Sequence, residues 1–433
     1  MLNKKITVIK FLLYSFIGIF MFFISIKIGD RNTIPIDHLV KFILKIPHLQ
    51  IVYGMIIIFL GTLFPFIKKT WNKSKLNFIM SILNVIGLVF TIMSIFKFGP
   101  EIITQDSMGP YVLFKVVIPV ILIVPIGSIF LAFLVSYGLM EGIGTLMEPI
   151  MRPVFRTPGR SAIDAVASFV GSYSLALLVT NRVYRENKYT TKEAAIIATG
   201  FSTVSATFMI ITLNTLDLME YWNLYFWVCL IVTFIATAIT ARIYPLSKMP
   251  DTYFNENLNI EDEGLENKKN NIFKEAWNTA ISNFLKSDSA LDNTISNLKD
   301  GIKLALNIGA TIMSVGVISL LLAQYTKIFD ILGYLFYPLT LFFKTSDPFL
   351  IAKSATITIA DMYVPAIIST GSSMDVRFII AVLCITEILF FSASIPCILA
   401  TDIPIKVKDI IIIWFERVVI SLLLIVPIVK FIF

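Results

Sequence analysis

The chain of 433 residues is 57% hydrophobic and only 15% charged, and its mean hydropathy is +0.83. Soluble domains carry about 25% charged residues, so this composition excludes an ordinary soluble protein and predicts a membrane protein. The net charge of +7 comes from Lys and Arg in short loops between apolar runs, which indicates cytoplasmic loops and no nucleic-acid partner. The three cysteines, Cys229, Cys384 and Cys397, lie in apolar stretches without metal-binding spacing.

Apolar runs of about 20 residues predict an all-α, polytopic helical membrane protein. The full-length runs are, in chain order, 8–28, 49–67, 76–97, 112–137, 193–214, 223–245, 302–323, 376–397 and 407–432. The segments 161–181 and 349–370 are long enough to cross but are interrupted by polar and small residues. The amphipathic segments 139–156 and 327–344 are expected to lie along a membrane surface.

The order of these elements repeats. From about residue 112, and again from about 302, the chain runs through a span, a surface helix, an interrupted segment, a polar-interrupted span and a span. We therefore divide the chain into a three-span N-terminal region (1–98), a first repeat (99–246), a cytoplasmic polar insert (247–300) and a second repeat (301–433). The composition of the insert indicates a solvated linker with one or two short helices.

Basic residues favour one topology among two. Lys4 and Lys5 place the N-terminus in the cytoplasm. If 161–181 crosses the membrane, the basic residues Arg182, Arg185, Lys188 and Lys192 fall outside, whereas a re-entrant hairpin keeps them inside. With 349–370 also re-entrant, the prediction is about nine full spans, two hairpins and an external C-terminus in the bacterial cytoplasmic (inner) membrane. Each repeat then has an odd number of crossings, so the repeats are inverted, as in many secondary transporters.

Polar residues at the hairpin tips and in the interrupted spans are the candidate substrate ligands. Hydroxyl groups at mid-membrane depth offer oxygen atoms to a substrate or cation, although they also serve helix packing. We expect the substrate to contact Ser172, Tyr173, Ser174, Asn181, Ser202, Thr203, Ser205, Thr207, Asp361, Thr386, Glu387, Ser392 and Ser394. Asn307 is a candidate to line the same cavity as Asn181.

Acidic residues at membrane depth are costly and indicate function. Glu387 and Asp361 are therefore candidates for Na⁺ ligation, for carrying a proton or for binding a cationic group. The structural alternative for Glu387 is an ion pair with Lys353. Asp164 lies nearer the surface, where capping or pairing with Arg160 is the preferred interpretation. We expect no cofactor beyond a coupling ion, Na⁺ or H⁺.

Motifs for nucleotide hydrolysis, for nucleophilic or metal-dependent hydrolysis and for dinucleotide binding are absent from the sequence, so we expect no enzyme. The expected partners are a small-molecule substrate and membrane lipid. The sequence leaves open whether the protein forms a homo-oligomer.

Four stretches of the first repeat resemble the YjiH family of bacterial membrane proteins, which carry a nucleoside recognition, or Gate, domain. They are Gly171-Ser172-Tyr173-Ser174, Asn181-Arg182-Val183-Tyr184, Tyr189-Thr190-Thr191-Lys192-Glu193-Ala194-Ala195 and Thr199-Gly200-Phe201-Ser202-Thr203-Val204-Ser205. The resemblance implies a transporter-like scaffold and makes 99–246 a Gate-like repeat. It does not fix the substrate, because related short forms beside peptidase genes would suit an amino acid or dipeptide.

The sequence thus predicts a secondary transporter that moves a nucleoside, amino acid or dipeptide across the cytoplasmic membrane with Na⁺ or H⁺. The alternative is a non-transporting scaffold or a subunit of a larger complex, with the insert as its docking element.

Overall fold

The computed structural model describes residues 2–24, 26–28, 31–46, 48–72, 75–170, 173–204, 206–255, 272–287 and 289–432. Within these ranges the regular secondary structure is helical apart from one antiparallel pair of short strands, β1 (Ile26–Ile28) and β2 (Arg31–Thr33). In this pair Ile28 lies opposite Arg31. The all-α prediction is therefore confirmed.

The N-terminal region contains four helices, which are α1 (Leu2–Phe23), α2 (Pro35–Leu44), α3 (Leu49–Ile67) and α4 (Lys75–Phe96). Helix α1 ends at Phe23, earlier than the predicted span 8–28, because residues 26–28 form β1. The sequence analysis also missed α2, whose start at Pro35 is typical of a first helical position.

The first repeat matches the predicted elements closely. Two short helices, α5 (Glu101–Thr104) and α6 (Gly109–Tyr111), precede a π-helical turn (Val112–Val117) that continues into α7 (Ile118–Val135). The following helices are α8 (Leu139–Phe155), α9 (Ser161–Val170), α10 (Tyr173–Arg185), α11 (Thr191–Gly200), α12 (Ala206–Thr215) and α13 (Trp222–Thr240).

The second half begins inside the predicted insert. Its helices are α14 (Ile272–Lys286), α15 (Ala290–Tyr325), α16 (Ile328–Gly333), α17 (Tyr337–Phe342), α18 (Pro348–Ile357), α19 (Val364–Ile368), α20 (Met374–Thr386), α21 (Ser394–Leu399) and α22 (Val407–Ile432). The long helix α15 is continuous through the end of the insert.

Among the described residues, seven helical segments are long and apolar enough to cross a membrane. They are Ile6–Phe23, Leu49–Ile67, Asn77–Phe96, Glu101–Val135, Met219–Thr240, Ala290–Tyr325 and Val407–Ile432. The protein is thus a multi-pass membrane protein. The count of nine full spans stays a prediction, because its other two members are the interrupted pairs α11–α12 and α20–α21.

One bundle of the fold consists of α1, α3, α4, α7 and α15. Small residues let its backbones approach closely: a Cβ added at Gly61 would lie 2.1 Å from the carbonyl oxygen of Leu306, and one at Gly87 would lie 1.9 Å from that of Ala310. Such close approach is characteristic of helix packing in lipid, where apolar burial gives little driving force. Of the other helices in the two repeats, α8 and α10 pack on α7, α16 and α21 pack on α15, and α13, α20 and α22 pack on one another.

The first interrupted segment is a helical hairpin that returns to its starting face. Just before α9, the backbone N–H of Gly159 donates to Glu148 of α8, and just after α10 the Lys188 Nζ lies 2.7 Å from Glu141 of the same helix. The two arms pack side by side, with the Thr180 hydroxyl 2.6 Å from the Asp164 carboxylate. We call residues 161–185 hairpin 1.

The second interrupted segment is also a hairpin, formed by α18 and α19 (hairpin 2, residues 348–368). Its two ends lie together, since the hydroxyl of Ser346 before α18 donates to Asp375 after α19 at 2.7 Å. Near it, the Thr215 hydroxyl lies 2.7 Å from that of Tyr363, and Arg377 donates to the Leu216 carbonyl. These loops are the ones predicted to be external.

The loops predicted to be cytoplasmic likewise meet one another. Arg182 and Arg185 of hairpin 1 each lie 2.9 Å from Asp300 at the start of α15, and Arg185 lies 3.6 Å from Asp402 before α22. The Lys188 amine is held between Glu141 and Glu186, and their negative charges raise the pKa of Lys188 although its burial alone would lower it. The two hairpins therefore enter from opposite faces, as inverted repeats require.

Candidate functional site

The turn of hairpin 2 lies against a break between α20 and α21. Residues 387–393 (break 2) leave the helix and form a short ladder with the hairpin turn. The backbone N–H of Phe391 donates to the Ile359 carbonyl at 2.6 Å, and that of Ser392 donates to the Ala360 carbonyl at 2.9 Å. The Ser392 hydroxyl donates to Asp361 at 2.8 Å. Two predicted site residues, Asp361 and Ser392, are thus brought together.

The Asp361 carboxylate is well satisfied by its own hairpin. Its Oδ1 accepts hydrogen bonds from the backbone N–H groups of Tyr363 (2.7 Å) and Val364 (3.0 Å), which start α19, while Oδ2 accepts from Ser392. The side chain is 5% exposed. In this conformation Asp361 holds the hairpin turn to break 2, which is the work of a positioning residue.

Hairpin 1 reaches the same region through the first residue of α10. The Tyr173 ring, at the start of α10, packs edge-on against Phe390 of break 2 with 5.7 Å between ring centroids. The neighbouring Ser174 is buried. The predicted ligand Ser172 lies outside the described residues.

Hairpin 1 also contacts the break between α11 and α12. The Ser168 hydroxyl of α9 donates to the Thr203 carbonyl at 2.6 Å, within residues 201–204 (break 1). The side chains of Ser202 and Thr203 are buried, and neither hydroxyl has a hydrogen-bond partner within the described ranges. Buried hydroxyls without partners are costly, so they suit a polar ligand. Ser205 and the side chain of Thr207 lie outside what the structure describes.

Break 2 is closed partly by its own residues. The Ser394 hydroxyl accepts from the Phe390 N–H at 2.9 Å and donates to the Ile388 carbonyl at 2.6 Å. Ile388 has a φ of +56°, a left-handed conformation that a β-branched residue rarely adopts. Ser394 therefore maintains the break, and the backbone strain at Ile388 is of the kind found at functional sites.

The expected pair of Glu387 with Lys353 is wrong. Lys353 lies 2.5 Å from Asp330, on the surface helix α16. The cation that interacts with Glu387 is Arg417 of α22, which the sequence analysis did not single out, and both side chains are buried. The Ser421 hydroxyl of α22 also interacts with the Glu387 carboxylate, whereas the Thr386 hydroxyl has no hydrogen-bond partner among the described residues.

The expectations for Asp164 are also wrong. Its carboxylate accepts from the Thr180 hydroxyl at 2.6 Å and from the Tyr189 hydroxyl at 2.7 Å, inside hairpin 1 and the loop that follows it. Asp164 is fully buried, because the two arms of the hairpin close over it. It stabilises the hairpin and leaves Arg160 without a role in that pairing.

Asn181 lies away from the hairpin turns, eight residues and about 12 Å along α10 from Tyr173. It accepts from the backbone N–H of Asp402 at 2.8 Å. A polar cleft opens there, between hairpin 1, α15 and the loop before α22; Asn307 lines it together with Asn181, but Asp361 and Glu387 do not. The charged and amide side chains around it are Asn181, Arg182, Arg185, Asn297, Asp300, Lys303, Asn307 and Asp402.

Two residues near the junction were missed in the sequence because they lie outside the polar clusters. Tyr111, just before the π-helical turn, interacts electrostatically with Asp361 and Tyr363. Gly316 of α15 lies against break 2, since an added Cβ would be 2.8 Å from the Val112 side chain and 3.2 Å from the Ser392 carbonyl oxygen. Close packing of this kind leaves no signal in one sequence.

The described residues contain no group of three or more His, Cys, Asp or Glu side chains arranged to hold a metal ion. The junction offers aromatic faces, buried hydroxyls, the buried carboxylate of Glu387 and the buried guanidinium of Arg417.

This fold and junction define a multi-pass membrane protein built around a Gate domain. The family model for Gate, described as nucleoside recognition, matches residues 117–218, which contain hairpin 1 and break 1. An uncharacterised protein of Alkalihalophilus pseudofirmus is 30% identical over 434 residues, covering 96% of this chain and 93% of its own. The chain belongs to the same family, the YjiH-like Gate proteins.

Two solved structures of CNTnw variants, a concentrative nucleoside transporter in an outward-facing state, are also similar along the chain. One is 16% identical with a TM-score of 0.49 and covers 96% of this chain and 98% of its own. The other is 17% identical with a TM-score of 0.37 and covers 97% and 98%.

Proposed function

We propose that the protein is a secondary transporter that moves a small polar metabolite across the cytoplasmic membrane. The observation that carries the proposal is the junction itself. Two hairpins that enter from opposite faces meet two helix breaks, through the contacts of Asp361 with Ser392, Tyr173 with Phe390, and Ser168 with Thr203. Irregular backbone at membrane depth is tolerated only where protein covers it or where it lines a polar cavity, and transporters place their substrates at such points.

The Gate domain favours a nucleoside as the substrate. The junction offers aromatic side chains for a base, namely Tyr173, Phe390 and Tyr111, and buried hydroxyls of Ser202 and Thr203 for polar groups. An amino acid or dipeptide is the competing substrate class, since the same hydroxyls would bind a carboxylate or an amide. Coupling to a Na⁺ or H⁺ gradient supplies the driving force.

The competing scaffold hypothesis needs the insert to be available for a partner. The described helix of the insert, α14, instead packs on the protein itself. Its Ala280 lies against Gly138 and Gly142, at the start of α8, and its Trp277 ring is 5.7 Å from that of Phe11 in α1. These contacts favour the transporter.

The test is uptake by proteoliposomes of a panel of nucleosides, amino acids and dipeptides, each with no gradient, with a Na⁺ gradient and with a pH gradient. The proposal predicts that at least one class accumulates above its external concentration when a gradient is present. Failure of every class under both gradients, with protein shown to be folded in the vesicles, would favour the scaffold.

A further inference from the structure

Arg417 is a fully buried arginine within the last apolar helix, far from either end of α22. Its Nε and one terminal nitrogen donate to the carbonyl oxygen of Thr386, at 3.1 Å and 2.7 Å. Thr386 is the last residue of α20, so the guanidinium caps the carbonyl end of that broken helix. A buried charge of this kind in a membrane span indicates a function.

The same guanidinium reaches the other break through one threonine. Its second terminal nitrogen donates to the Thr237 hydroxyl of α13 at 3.2 Å, and that hydroxyl lies 2.8 Å from the carbonyl oxygen of Gly200. Gly200 is the last residue of α11, so its carbonyl ends the other broken helix. Arg417 therefore connects the carbonyl ends of both interrupted helices.

The surroundings of Arg417 are those of a bound cation. The carbonyl end of a helix carries a partial negative charge, and two such ends converge here with the buried carboxylate of Glu387. In broken-helix transporters, unwound carbonyls and helix C-termini commonly coordinate Na⁺. The hydroxyls of Thr386 on α20 and Thr233 on α13, the two helices that face Arg417, also have no hydrogen-bond partner in the described part of the chain.

The other ionisable groups near Glu387 do not supply a second positive charge. Cys384 lies one turn earlier on α20 and interacts with both Glu387 and Asp361, while Cys229 and Tyr225 of α13 interact in turn with Cys384. Arg417 is thus the cation that balances Glu387 within the described residues.

We propose that the guanidinium of Arg417 is a tethered cation that takes the place of a bound Na⁺ between the two helix breaks. It joins the carbonyl ends of α11 and α20 and balances Glu387, so that the protein needs no alkali ion at this point. The proposal rests on the proposed transport site, but its test uses no substrate and can fail or succeed independently of uptake.

The test is the thermal unfolding midpoint of the purified protein, read with a thiol-reactive dye, since Cys229, Cys384 and Cys397 are buried and unpaired. Each variant is measured at equal concentrations of sodium chloride and choline chloride. Any difference between the two salts in the wild type is expected to persist in Glu387→Gln, since no Na⁺ binds at Glu387 while Arg417 is present. Arg417→Ala is expected to unfold several degrees lower in choline and to recover in sodium or in dilute methylguanidinium, which fill the position of the lost guanidinium.

Two further variants identify the cause. Arg417→Ala with Glu387→Gln removes the carboxylate that would hold the added cation, so the response to sodium should disappear. Lys408→Ala, an exposed lysine on the same helix, is the matched control and should respond like the wild type. If Arg417→Ala cannot be purified, Arg417→Lys is used; its retained charge should keep the midpoint insensitive to sodium.

Four results would overturn the proposal. A wild-type midpoint raised by sodium over choline, with the rise abolished by Glu387→Gln, would show that Glu387 binds Na⁺ despite Arg417. A midpoint of Arg417→Ala equal to that of the wild type would show that the guanidinium holds nothing together. A lower midpoint of Arg417→Ala that no cation restores would show that Arg417 is a purely structural residue. A midpoint of Arg417→Lys that rises in sodium would show that a tethered positive charge does not replace Na⁺ at this position.

Discussion

The end of α11 gives a sharp test of the helix breaks. Gly200 is the last residue of that helix, and a Cβ added there would lie 2.3 Å from Cγ2 of Thr237. Carbon atoms in ordinary contact are about 3.5–4.0 Å apart, so Gly200→Ala must displace α11 from α13 or turn the threonine away. Either movement breaks the connection from the Gly200 carbonyl through Thr237 to Arg417.

The expected cost follows from the size of the overlap. Overpacking a close-packed site by one methyl group costs about 1–3 kcal/mol, which the helix propensity of alanine offsets by up to about 1 kcal/mol. At the unfolding entropy usual per residue, a chain of 433 residues loses about 1 °C in its midpoint per kcal/mol. Helices that persist in detergent reduce that entropy and enlarge the shift per kcal/mol, so Gly200→Ala should lower the midpoint by about 2 °C.

A second substitution makes the reasoning specific. Thr237→Ser removes the Cγ2 atom that causes the overlap and keeps the hydroxyl, which would lie 3.1 Å from the new Cβ. The double variant should therefore recover most of the lost stability in the same dye assay. A Gly200→Ala protein as stable as the wild type, or a double variant no better than the single one, would refute the packing argument.

Three other predictions concern topology, the junction and the cytoplasmic face. A cysteine at the exposed Arg156, in a loop predicted to be cytoplasmic, should resist an impermeant thiol reagent added outside intact cells, whereas one at the exposed Thr370 should react. The reverse pattern would show the opposite orientation in the membrane. Ser394→Ala should lower the free energy of unfolding by about 1 kcal/mol or more, because it leaves the Phe390 N–H unsatisfied. Unchanged stability would contradict the role of Ser394 in break 2. Because the pKa of Lys188 is raised in the folded protein, its pairing with Glu141 stabilises the fold fully below the usual lysine pKa of about 10.4 and is lost only above it. Lys188→Met should therefore lower the stability by the same amount at about pH 6 and about pH 9. A loss of stability that differs between the two pH values would refute this interpretation of the pair.

Much of the fold could be predicted because lipid imposes strong rules on sequence. The apolar runs marked the long helices, and the positions of Arg182, Arg185 and Lys188 distinguished a returning segment from a crossing one. The interruptions at 199–207 and 386–396 were visible because serine, threonine, glycine and proline weaken a helix locally. The structure places breaks at both.

The partners of the buried charges could not be predicted. Glu387 and Arg417 are 30 positions apart in different helices, and their proximity depends on how α20 and α22 pack. Lys353, the partner expected from the sequence, instead pairs with Asp330. Asp164 seemed superficial by position along the chain, but the two arms of hairpin 1 fold over it. Tertiary contacts of this kind leave no periodic pattern to read.

Gradient-driven uptake by two site variants tests most directly whether the junction of hairpins and breaks is a transport site. Asp361→Asn and Glu387→Gln should both lose concentrative uptake of the transported compound while keeping folded protein in the vesicles. Asp330→Asn, which alters a surface ion pair with Lys353, should retain uptake. Full activity in both site variants would contradict the assignment of the junction as the site.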